Sequence, residues 1–143
     1  MVAIEDFVLG DGKTARRPDE LLTSVSVPGD PVPGSSAYVR FSRVDGDYPV
    51  AAAGVRLAWR NGMVASARIA IGGCGPTAFR VVEAEDAICG MYGQGDVPST
   101  VWDAAVAAAR PVDDIKGSAD YRRRLIPGLL RRALAQAFAA ARS

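Results

Sequence analysis

The residues best suited to chemistry gather in one short stretch, SRVDGDYP, residues 42–49. Arg43, Asp45, Asp47 and Tyr48 stand around Gly46, and Tyr38 lies just upstream. Two carboxylates flanked by a guanidinium and phenols offer acid–base or orienting groups. A glycine-centred loop on a rigid scaffold is also where such groups usually act. The plain alternative is a charged hairpin connection that turns at Gly46. Other chemistries drop out on composition. The sequence has no histidine and two cysteines, so it lacks a Ser-His-Asp triad, a histidine base and an ordinary four-ligand zinc site. GGCGPT, residues 72–77, places glycines between a strand and a helix but lacks the spacing and lysine of a phosphate loop. It reads as strand termination, with Cys74 as a small buried residue. A Cys74–Cys89 disulfide is disfavoured in a reducing compartment.

A second charged feature is the run YRRR, residues 121–124, behind Asp113, Asp114 and Gly117-Ser118. Lys+Arg 17 against Asp+Glu 16 leaves a formal charge of +1, so no global attraction to polyanions follows. Without a basic domain or interleaved aromatics, nucleic-acid binding is not supported. A membrane-surface helix would need Trp or Phe along its apolar face. Arg123, Arg124, Arg131 and Arg132 therefore read as a solvated face. Arg122 to Arg124 can pair with Asp113, Asp114 or Asp120 and hold the helix start against the preceding loop. No apolar run approaches the ~20 residues needed to span a bilayer, and the N-terminus lacks a leader pattern. A cytoplasmic protein is expected.

Several elements must position these residues. Residues 1–34 carry turn signals, GDGK and VPGDPVPG, around a short alternating piece from Leu22 to Val27. They suggest two short extended segments and a loop ahead of a domain over 35–143. Residues 37–44 alternate as a strand. Two β-leaning runs, 50–60 and 63–72, flank Asn61-Gly62, the preferred pair for a type I′ hairpin. Val55, Leu57 and Trp59 share one face there, as do Ile69 and Ile71 on the returning strand.

After residue 76 the period becomes helical. Residues 79–90 read as a helix closing at Gly90. Residues 98–111 read as a second helix, with Thr100 and Asp103 spaced like a capping box and Pro111 as the stop. A third helix from Ser118 carries an apolar stripe of Leu125, Ile126, Leu129, Leu130, Ala133, Leu134, Ala137 and Phe138. Pro127-Gly128 should kink or break it. Strands followed by helices predict an α+β class, with a three-stranded antiparallel sheet covered on one face by about three helices.

DIKGSADYRRRLIPGLLRRAL, residues 114–134, resembles the closing motif of the FAD-binding (medium) subunits of molybdenum hydroxylases, the carbon monoxide dehydrogenase and xanthine dehydrogenase family. In that motif an Asp-x-x-Gly-Ser-x-x-Tyr-Arg-Arg segment opens the terminal helix. Three further blocks agree in order. EDFVLGDGKTARRPDELLTSVSVPG is similar to the stretch leaving the family's flavin-binding core. AYVRFSRVDGDYPVAAAGVRL is similar to its Tyr-x-Lys strand and following loop, with Arg40 where lysine is usual, which keeps the charge but changes its geometry. IAIGGCGPTAFRVVEAEDAICG is similar to its Gly-Gly segment and helix.

The resemblance implies that glycine-rich loops holding the FAD pyrophosphate belong to a larger portion preceding this sequence, with Met1 near the boundary. It implies that Arg40, Arg43, Gly46 and Tyr48 lie beside the flavin, and that electrons reach FAD from molybdenum through iron–sulfur clusters. FAD would then be shared with a partner chain and not held by this one alone. Iron–sulfur and molybdopterin subunits, or a separate FAD-binding chain, are the implied partners. A second reading stays open. A stand-alone domain of the same fold that has lost flavin would bind or rearrange a small metabolite, with Asp45, Asp47 and Tyr38 as catalytic groups. Homo-oligomerisation stays open in both readings.

Overall fold

The computed structural model describes residues 1–27, 29, 34–93 and 95–141. A short helix α1 (Ile4–Phe7) leads into a two-stranded sheet, β1 (Val8–Gly10) and β2 (Lys13–Thr14), closed by the GDGK turn. No regular element follows from 21 to 27, where Leu22, Val25 and Val27 are exposed. The alternation from Leu22 to Val27 therefore makes no strand, because neither of its faces is buried against a layer. The VPGDPVPG turn lies partly outside the described residues.

The main sheet is antiparallel in the order β3 (Gly34–Phe41), β4 (Ala51–Arg60), β5 (Met63–Gly72) and β6 (Phe79–Arg80). The expectation of a three-stranded sheet is corrected by this fourth, two-residue strand. Phe79 and Arg80 pair with Ile71 and Ala70 instead of starting the helix, because edge N–H and C=O groups of β5 are available to them. The β4–β5 hairpin turns on Asn61 (φ 53°) and Gly62 (φ 77°), the two left-handed residues of a type I′ turn. A register shift follows between Ala58 and Trp59.

The pleat then sorts the faces. Val39, Ala51, Ala53, Val55, Leu57, Ala67, Ile69 and Ile71 are all buried in one core. Tyr38 and Arg40 point to the opposite, outer face and are exposed.

Helices α2 (Val82–Ile88), α3 (Ser99–Ala108) and α4 (Ala119–Ala140) complete the domain. α4 packs on β3 and β4, α2 on β5, and α3 sits against α2 and α4. Gly90 takes φ 86° just past α2, which lets the chain reverse there. Thr100 lies inside α3, whose N-cap is Pro98, and no side chain caps the helix. A capping box is thus absent at that end, because the helix starts before the threonine that would have capped it.

The expected break at Pro127 does not end α4 either, which runs 22 residues through it. Proline and glycine cost such a helix ~3–4 kcal/mol by propensity. Burial of Ile126, Leu129, Leu130, Leu134 and Phe138 contributes ~1.5–3 kcal/mol for each side chain. Packing decides the outcome.

Candidate functional site

Two connections meet at one end of the sheet. The first joins β3 to β4 over residues 42–50, and the second joins α3 to α4 over 109–118. In the first, Gly46 adopts φ 83° with nothing near the position of a Cβ, and Asp47 N–H donates to Val44 O at 3.3 Å. Asp47 Oδ1 then accepts from Tyr48 N at 2.7 Å. Arg40 donates from the outer sheet face to Asp47 O at 3.1 Å. The second connection reaches across to meet this loop. Arg43 Nη1 donates to Ile115 O at 2.8 Å. Lys116 Nζ lies 3.6 Å from Asp47 Oδ1 and 5.0 Å from the centre of the Tyr48 ring. Tyr48 itself stays 81% exposed, so one ring face carries a cation and the rest of its surface is available.

Beneath this pair of loops lies Arg122, only 5% exposed. Its Nη2 donates to both oxygens of Asp114 at 2.6 Å. Nη1 donates to Val50 O at 2.9 Å and Gly73 O at 2.6 Å, so all four terminal N–H groups are used. Only Nε lacks a partner among the described residues. Asp114 Oδ1 also accepts from the N–H groups of Lys116 and Gly117 at 2.8 and 3.2 Å. The Arg122 guanidinium, helped by those N–H groups, holds the Asp114 carboxyl below the usual carboxylate range. Ser118 caps α4 by accepting from Tyr121 N, and Asp113 accepts from Ala119 N. Tyr121 stands edge-on to Phe41 with ring centres 6.2 Å apart.

The structure therefore brings together Arg40, Arg43, Gly46, Asp47 and Tyr48. Asp45 is exposed and makes no hydrogen bond or ion pair among the described residues. Tyr38 lies on the outer face over Gly54, and its side chain makes no hydrogen bond among the described residues. Lys116, Asp114 and Arg122 were not singled out as site residues by the sequence. The signal for Arg122 was present all the same. Arg122, Ile126, Leu129 and Ala133 share helical spacing, which puts a guanidinium on the buried stripe and demands a partner.

The outer arginines behave differently from Arg122. Arg123 pairs with Asp120 at 3.4 Å near the surface, and Arg131 lies 5.1 Å from the Trp102 ring centre. The GGCGPT segment ends β5. Gly73 takes φ 73° with Val50 O 2.8 Å from where a Cβ would stand, and Cys74 O accepts from Arg110 N at 2.8 Å. Cys74 is buried, Cys89 is exposed, and neither is bonded to the other. Burial pushes the Cys74 thiol up, with Arg122 opposing, so it is poorly suited to act as a nucleophile.

A four-stranded antiparallel sheet backed by helices, with two charged loops clasped at one end beside an exposed tyrosine, defines an α+β domain. The chain belongs to the CO dehydrogenase flavoprotein C-terminal domain family, whose pattern matches residues 36–137. It is 35% identical to the carbon monoxide dehydrogenase medium chain of Afipia carboxidovorans, over all of this chain and 50% of that one. With the nicotine 6-hydroxylase medium subunit of Paenarthrobacter nicotinovorans it shares 31% identity over 95% of this chain and 47% of the relative. A chain of the Cu,Mo-CO dehydrogenase structure superposes with a TM-score of 0.87 at 32% identity, covering 97% of this chain and 49% of that one. The chain thus spans about half the length of the relatives it matches. No helix among the described residues is long and apolar enough to cross a membrane.

Proposed function

We propose that this chain is the C-terminal module of a molybdenum hydroxylase FAD subunit and completes the flavin side of an electron-transfer oxidoreductase. The observation that carries this reading is the Tyr48–Asp47–Lys116–Arg43 cluster, an exposed aromatic ring set among charges at the meeting of two clasped loops. Such a ring fits one face of an isoalloxazine by stacking. Lys116 and Arg43 supply positive charge suited to a flavin that gains negative charge on reduction. Asp47 orients Lys116. FAD, when bound, supplies the one- and two-electron chemistry; the residues of this chain cover the ring and set the charge beside it.

The described residues fit the ring end of the cofactor and not its pyrophosphate. The glycine-rich turn at 72–75 has its Gly73 and Cys74 carbonyls occupied by Arg122 and by the Arg110 N–H, and it lacks the spacing and lysine of a phosphate loop. FAD is therefore shared with the portion that forms the other half of the relatives' length. Iron–sulfur and molybdopterin subunits are the proposed further partners. Asp45 and Tyr38, exposed and apart from the cluster, are assigned no part in this reading.

The test is reconstitution. This chain alone should bind FAD weakly, whereas co-expression with a flavin-holding half from a relative should yield a complex that retains FAD. Its flavin fluorescence should be quenched relative to the flavin-holding half alone. FAD retention and fluorescence that are the same with and without this chain would overturn the proposal and favour the metabolite-binding alternative.

A further inference from the structure

We infer that Arg122, through its clasp on Asp114, Val50 O and Gly73 O, is the positioning residue that preorganises the Tyr48–Lys116 loop pair. This rests on the flavin reading for its consequence, but its geometry stands apart from that reading. Three segments distant in sequence end at one guanidinium. Val50 closes the 42–50 loop, Gly73 closes β5, and Asp114 opens the 114–117 turn. From Asp114 the order passes outward in short steps. Its carboxylate fixes the backbone of Lys116 and Gly117, and Lys116 then reaches Asp47 and the Tyr48 ring. Ile115, held between Asp114 and Lys116, accepts from Arg43 and ties the two loops a second time.

A surface ion pair would do little of this, because exposed pairs rarely hold a single geometry. Arg122 differs because it is buried and its planar fork serves four acceptors at once. Lysine cannot replace it, since one ammonium nitrogen cannot reach two carbonyls and a carboxylate lying in different directions. The apolar stripe of α4, Ile126, Leu129, Leu130, Ala133, Leu134, Ala137 and Phe138, is buried and contributes its own packing, so a variant that loses the latch is expected to keep the helix on the sheet.

The experiment has two arms, each with Arg122→Lys, and with Asp114→Asn as a second variant should the first fail to fold. In the free chain, hydrogen exchange is followed by mass spectrometry on peptides covering 42–50, 114–117, β4 and α4. Exchange at Asp47, Tyr48, Lys116 and Gly117 should quicken at least tenfold while β4 and the centre of α4 keep their protection. Equal loss of protection everywhere would show a merely structural role, and unchanged exchange in the loops would show no latch; either overturns the inference.

In the complex with a flavin-holding half, the FAD dissociation constant is measured for Arg122→Lys, Tyr48→Ala and the double variant. If Arg122 acts through the loop pair, the loss of FAD affinity in the double variant should be smaller than the two single losses combined. Additive losses would refute the inference. Failure of the unmodified complex to retain FAD would refute the flavin reading, while the exchange arm still decides the latch.

Discussion

Replacing Tyr48 with alanine separates function from stability most cleanly. The ring is 81% exposed, so about a fifth of the ~200 Å² that a tyrosine can bury is covered in the free chain. At ~25 cal/mol per Å² that amounts to about 1 kcal/mol. The Lys116 contact adds ~0.5 kcal/mol at such an exposed site. The melting temperature should therefore fall by no more than about 2–5 °C for a domain of this size. Flavin binding should respond far more strongly. Covering the remaining ~150 Å² against the isoalloxazine would contribute ~4 kcal/mol before docking costs. With about half of that surviving the costs of ordering, the loss is ~2 kcal/mol, roughly 30-fold in affinity. Fluorescence titration of FAD into the two-part complex, beside a thermal melt of the chain alone, measures both quantities. Wild-type FAD affinity together with a melt lowered by 10 °C would refute the reasoning. It would mean that Tyr48 serves the fold and that the flavin lies elsewhere.

Further expectations concern helix and charge. Gly128 lies inside α4 with open space where a Cβ would stand, so Gly128→Ala should stabilise the chain by about 1 kcal/mol, read as a raised denaturation midpoint. Acid should weaken the domain through two carboxyls. Burial pushes Glu85 up, but the Arg80 ion pair and the Ile69 N–H outweigh it and hold it below its ordinary value; Asp114 is also held low, chiefly by Arg122. Groups with depressed folded values stabilise above their unfolded values and lose that contribution as pH falls through the folded ones. Stability should therefore be flat in this respect down to about pH 5 and decline below about pH 4, and Glu85→Gln should flatten that decline in a pH series of melts.

Much of this protein could be read along the chain because its signals are local. Asn61-Gly62 can adopt the paired left-handed conformation that closes a tight hairpin, so the longest strands followed from two residues. The i, i+3, i+4 stripe of α4 and the glycine at 90 likewise depend on near neighbours. The closing motif from Asp114 to Leu134, with three further blocks in the right order, pointed to the family. Other features required distant partners. β6 exists because Phe79 and Arg80 meet the free edge of β5. Helix α4 survives Pro127 because the sheet beneath buries its apolar stripe. The site was half visible: the 43–48 loop showed itself by composition, whereas Lys116 is brought to Tyr48 from 68 positions away. Arg122 finds its carbonyl partners 72 and 49 positions back. A periodic pattern shows that a guanidinium lies on a buried face, but only the packed chain shows which carbonyls and which carboxylate satisfy it there.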